Sequence, residues 1–237
     1  MKYRFALLYM LFFIGVTNMS AQIFSDNTLT TYDVFHISSN NDTIKRMDVS
    51  LKSSNDAWIS PREEAIKHYN LITWNLKKQN KIYTDKTGVK ETKDEIFLHP
   101  IRIDDYAILE FCPFPLVKFP LRIGNKWKWT LENINSHYFD YINKTTNIPK
   151  DKVKVVNSYF VEKKSDYYFD EKSKKIECYV IVGVGNSQLG ETQLISWFSP
   201  VYGFLKMEFK TLNGNVIVFK MKGKKSLNIF NYNNTFH

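Results

Sequence analysis

The sequence predicts a mainly β protein: a curved antiparallel sheet, barrel-like or sandwich, of about ten or more strands, with one short helix near residues 61–69. Three observations carry this. The chain holds 14 Tyr and 18 Phe, and ring-bearing side chains favour pleated surfaces over helices. Apolar and polar residues alternate over several stretches, which puts one face of a strand in a core. Turn chemistry recurs at short intervals between those stretches.

The elements follow in order. Thr31–Ile37 alternates loosely, Ser38–Asp42 supplies a turn, and Thr43–Leu51 sets Lys45, Met47, Val49 and Leu51 on one face. This is an N-terminal hairpin. Ser60-Pro61-Arg62-Glu63 is a helix start: Ser60 caps, Pro61 suits the first helical position, and Glu63 completes a capping box. The stripe Ala65, Ile66, Tyr69 ends that helix near Tyr69 or Asn70. Leu71–Leu76, Lys81–Thr84, Glu95–His99 and Tyr106–Phe111 read as strands, with a turn at Asp85–Gly88. Pro113, Pro115 and Pro120 remove three backbone donors, so that stretch must run along an edge or cross between parts of the fold.

After Gly124-Asn125 the pattern is strict. Trp127, Trp129 and Leu131 share one face; Lys126, Lys128, Thr130 and Glu132 share the other. Val153–Val161, Ile176–Val184 and Gln193–Phe198 are further strands, and Ser199–Gly203 is a tight connection. In the last hairpin a three-residue loop at Asn213–Asn215, with Gly214 in the left-handed region, sets Phe209 opposite Phe219 and Met207 opposite Met221. The tail beyond Lys225 is weakly patterned, a last edge strand or a frayed end.

The organisation expected is a signal peptide over residues 1–21 and a single exported β domain over 22–237. Within it, 22–94 is an N-terminal part and 95–225 the main antiparallel sheet. Met1–Arg4 is basic, Phe5–Val16 apolar, and small residues follow, the layout of a secretory leader too short to span a bilayer. No cysteine follows the apolar run, so a periplasmic or extracellular protein that is not a lipoprotein is expected. No later segment is long and apolar enough to cross a membrane.

The formal charge is +9. The lysines are interleaved with acids, as on solvated strand faces; an anionic partner surface is the sharper alternative. Export and the lack of arginine-rich base-reading patterns exclude nucleic acid. Cys112 and Cys178 are a possible disulfide in an oxidising compartment, or else two buried thiols.

The search for chemistry assigns no catalytic residue, cofactor or metal. Gly183-Val-Gly185 to Gly190 has its third glycine misplaced for a phosphate loop. His36, His68, His99, His137 and His237 stand at no metal-ligand spacing. His137 and Asp140 form an exposed pair, and Ser196 and Ser199 lack nucleophile-elbow glycines. Asp104-Asp105, read as strand neighbours, point to opposite faces. Trp127, Trp129 and Trp197 are speculative ligand-facing aromatics; the alternative is that each is core.

The run Leu109-Glu110, Pro113-Phe114-Pro115, Phe119-Pro120-Leu121, Gly124 and Trp127-Lys128-Trp129, followed by Ser196–Ser199 and Tyr202–Lys206, resembles uncharacterised exported β-rich proteins of flavobacterium-like Gram-negative bacteria, a domain of unknown function. The resemblance covers roughly residues 95–221. It implies a curved antiparallel sheet in the envelope and carries no catalytic residues. The expectation for function is a non-enzymatic binding or accessory module for a partner protein or a hydrophobic ligand held in a barrel mouth or groove. A glycan or cell-wall hydrolase and a structural accessory of an envelope complex are the alternatives. The discriminating observation is whether the three tryptophans meet in a closed core or at an open pocket.

Overall fold

A computed structural model of the chain describes residues 22–24, 27–58, 69–132, 134, 136–142, 153–170 and 173–227. The leader, nearly all of the helix expected at 61–69, and the tail beyond Leu227 lie outside the described residues. Twelve strands form one antiparallel sheet: β1 Thr28–Ile37, β2 Thr43–Ala57, β3 Asn70–Lys78, β4 Lys81–Glu91, β5 Glu95–Leu98, β6 Leu116–Lys118, β7 Lys126–Leu131, β8 Val155–Tyr167, β9 Ile176–Ser187, β10 Gly190–Ser199, β11 Gly203–Lys210 and β12 Val216–Ser226.

The strand order is β6-β5-β4-β3-β2-β1-β12-β11-β10-β9-β8-β7. Two meanders, β1–β6 and β7–β12, are therefore joined back to back through β1 and β12. The sheet curls into a nearly closed barrel whose edges are β6 and β7. Aromatic rings fill the seam: Trp129 of β7 lies 5.3 Å from Phe97 of β5 and 5.1 Å from Phe114. The three prolines fall where sequence required, in the segment that leads into and out of the short edge strand β6.

The interior is filled by the protein itself. Inward residues such as Tyr32, Leu51, Ile72, Trp74, Phe209 and Phe219 make the wall. Between β5 and β6 the chain turns inward, and Ile101, Tyr106, Leu109 and Cys112 join the same cluster. Wall side chains pin this plug by its backbone. Trp74 Nε1 donates to His99 O (3.1 Å), Thr192 Oγ1 to Phe111 O (2.9 Å), and Tyr159 Oη to Phe114 O (3.0 Å). Gly183 lets the plug approach β9: a Cβ there would come within 2.9 Å of both Pro113 and Tyr159. Burying each large plug side chain contributes about 2–3 kcal/mol.

Three local expectations are corrected. Tyr106–Phe111 is not a strand but lies in a 3₁₀ helix, Asp104–Phe111, with Tyr106 to Phe111 all buried. A short apolar run buried all round carries no periodicity to separate the two. Asp85–Gly88 is not a turn: it continues β4, where Thr87 is buried and donates to His99 O while Trp58 lies on Gly88. The last hairpin pairs Met207 with Phe219 and Phe209 with Ile217, a register two residues from the expected one. Its loop is Thr211–Asn215, closed by Thr211 N donating to Asn215 O (2.9 Å), and Gly214 adopts φ +85° as expected. The longer loop wins because Leu212 is then buried in a separate cluster with Phe111 and Leu189.

Candidate functional site

The aromatic residues that sequence singled out do not meet in one pocket. Trp127 stacks on Tyr159, with ring centroids 5.7 Å apart and planes at 9°, and Trp129 packs on Phe97 and Phe114. Both are half-buried parts of the seam. Trp197 is on another face: it alternates with buried Ser196 and Phe198, is half-exposed, and carries the Lys206 ammonium 4.4 Å from its ring. Trp127 and Trp197 nevertheless both pack in part against the main core cluster.

The possible Cys112–Cys178 disulfide is not formed; both cysteines are free and buried. Each sits against a different backbone oxygen, Cys112 Sγ 3.9 Å from Lys210 O and Cys178 Sγ 3.3 Å from Ser165 O. Burial pushes the Cys112 thiol far above its ordinary range. Burial, with Asp166 and Glu177 nearby, pushes Cys178 up to about 11. Neither is a nucleophile in this state.

The other polar candidates are dispersed. His137 and Asp140 are exposed on a 3₁₀ turn, Ser136–Tyr141. Ser196 is buried and donates to Ile181 O. Asp104 and Asp105 open the buried 3₁₀ helix and are held by Lys78 (2.8 Å) and Lys45 (2.6 Å), so they share one end of the barrel rather than opposite strand faces. Burial raises the Asp105 carboxyl, but the Lys45 hydrogen bond outweighs it and leaves the group below the ordinary carboxylate value. No cluster of three or more His, Cys, Asp or Glu suited to a metal occurs among the described residues.

One space open to a ligand lies on the outer wall. A groove of about 330 Å³ is lined by Thr31, Asp48, Ser50, Asn75, Lys77 and Lys222 among others. Register explains it. Gly223, Thr31, Ser50, Asn75 and Thr84 are successive partners across β12, β1, β2, β3 and β4. None is larger than asparagine, so a shallow trough crosses five strands, roughly 19 Å at the usual strand spacing. Thr84 Oγ1 donates to Asn75 Oδ1 (3.1 Å) in this row, and the exposed side chain of Ile82 adds apolar surface to the lining.

Larger residues form the two banks. On one side the next pairs bring Lys225, Lys52 and Lys86 level with the trough. On the other stand Asp33, Asp48, Lys77 and Ile82, with Lys222 beside them. Lys222 is the extra residue of a bulge in β12 opposite Thr31 and Tyr32, and the bulge aims its ammonium at Asp48 (3.1 Å) and Asp33 (3.4 Å). Lys52, Lys77, Lys86 and Lys225 have no acidic partner among the described residues. Sequence analysis missed this site because its residues come from five separated segments. The available signal was the run of small polar residues on the outward positions of strands otherwise rich in lysine.

No protein-family model matches the chain, and no curated protein matches it. Among solved structures it is similar to a candidate exported protein with YmcC-like fold from Bacteroides fragilis, at 8% identity and TM-score 0.42 over 85% of this chain and 97% of that one. It is also similar to the hypothetical lipoprotein YmcC from Escherichia coli, at 9% identity and TM-score 0.35 over 84% of this chain and 89% of that one. No helix among the described residues is long and apolar enough to cross a membrane.

Proposed function

We propose that the protein is an exported, non-enzymatic binding or accessory protein that recognises a partner protein on the outer wall of its barrel. One observation carries this reading: residues 99–115 fill the interior beside Trp74 and Phe219, so a hydrophobic ligand has no room there, while an open trough crosses the outside. The basic, apolar and small-residue layout of residues 1–21 supports export. Among the described residues Ser196 donates to a backbone carbonyl and both cysteines are buried, so none of these three is set against a base, which favours binding over hydrolysis.

The test is site-specific photo-crosslinking in intact producing cells. A photoreactive side chain replaces Asn75 in the trough or Tyr202 at the β10–β11 turn. A discrete, saturable adduct from the folded protein is expected. The absence of any such adduct from these and a spread of other exposed positions would remove the binding reading.

A further inference from the structure

We infer that the trough across β12-β1-β2-β3-β4 is a docking groove for an extended acidic segment of a protein. This rests on the binding role proposed above and names its partner chemistry.

Charge comes first. The banks present Lys52, Lys77, Lys86, Lys222 and Lys225 against two outward carboxylates, Asp33 and Asp48, and both are already engaged by Lys222. Lys77 lines the trough and Lys52, Lys86 and Lys225 stand exposed on the neighbouring outward row, all four without an acidic partner among the described residues. Five like charges on one face repel one another, and an anionic occupant relieves that cost.

Shape comes second. The lysines stand on both sides of a narrow floor rather than on a flat or convex patch. An extended chain fits this arrangement because its successive side chains point to opposite sides. Acidic side chains at alternating positions then reach both banks at once. About six extended residues span the trough at about 3.3 Å each.

The floor comes third. Thr31, Ser50, Asn75 and Thr84 offer hydroxyl and amide groups at the height where the backbone of such a chain would lie. Gly223 closes the row at β12, and a Cβ added there would meet nothing within 4 Å, so that end is open. The floor has no aromatic platform, which disfavours sugar-ring stacking, and a planar membrane surface would touch the banks without reaching the floor.

The experiment uses the purified protein and a fluorescein-labelled peptide of six Glu-Thr repeats, followed by fluorescence anisotropy at low salt. Saturable binding is expected, weakened at least tenfold by raising NaCl to about 0.5 M. Lys52→Glu/Lys77→Glu/Lys86→Glu should weaken it at least tenfold, and so should Ser50→Trp, which blocks the floor. Lys126→Glu/Lys128→Glu/Lys210→Glu carries the same charge change outside the trough and should bind within twofold of the parent. Circular dichroism melting checks that each variant is folded.

Equal loss in the two triple variants would overturn the assignment, since it would mark general charge attraction. Binding of polygalacturonate, or of phosphatidylglycerol–phosphatidylcholine vesicles, with no binding of the peptide would overturn it in favour of a glycan or a membrane. Crosslinks found only from Tyr202 would sink the trough and leave the binding role standing.

Discussion

Asp33 shows how single residues on the outer wall are tuned. Burial works against its charge, but hydrogen bonds from Arg46 (2.9 Å) and the ammonium of Lys222 outweigh burial and hold its carboxyl below 3.8. A folded value below the unfolded one means stabilisation that is present above pH 3.8 and lost as pH falls through the folded value. Asp33→Asn should therefore cost up to about 1 kcal/mol at neutral pH, the scale of a partly exposed pair. The difference from the parent should shrink as pH falls through the carboxylate range; urea unfolding at stepped pH measures it, and a gap that does not change with pH would contradict the cause. At this scale parity was readable where the pattern was strict. Trp127 and Trp129 fell on one face with Lys126 and Lys128 opposite. Trp197 did not, because Leu194, Ile195 and Phe198 around it are apolar on both faces of β10, and alternation then has nothing to contrast. Thr31, Ser50 and Asn75 gave no signal singly; only their register makes a trough.

Elements tell a similar story with a different limit. The last hairpin was legible in its faces but not in its register. A slip of two residues leaves every side chain on its expected face, so only the loop can decide, and Leu212 decides it by finding a buried place. The 3₁₀ helix Asp104–Phe111 was missed because burial on all sides erases periodicity. One element could not be foreseen at all. Ile23 and Phe24 are buried at the end of the barrel near Gly203, and both their backbone N–H groups donate to one carboxylate, Glu91 (2.6 and 2.8 Å). Lys224 donates to Ile23 O beside them. A carboxylate 67 residues away in sequence thus anchors the turn at Ile23 and Phe24, ahead of β1. Glu91→Ala leaves two buried donors unmet and should cost about 2 kcal/mol. It should also make the chain cleavable ahead of Thr28 under limited proteolysis. Unchanged resistance and stability would show that Ile23 and Phe24 are held by packing alone.

At the scale of the molecule, the filled interior governs what the protein can bind and how its thiols behave. Cys112 and Cys178 should react with Ellman's reagent only on unfolding, with two equivalents released at the urea midpoint; rapid reaction of either in the folded protein would mean that the barrel opens. The class of this architecture was legible, since alternation and turns mark antiparallel strands wherever they occur. Strand partners were not: β1 meeting β12, and residues 99–115 entering the barrel, depend on contacts between distant segments. That junction also sets the order of events in time. Strands β1 to β6 can zip together as consecutive neighbours while the rest of the chain is still being made, and β7 to β12 can do the same later. Thr28 cannot meet Ser226 until almost everything between them has emerged. Pairing at such separation is slow, so assembly waits on its first and last strands. During that wait β1 offers an open edge to other copies, which makes the half-built sheet the form most exposed to aggregation.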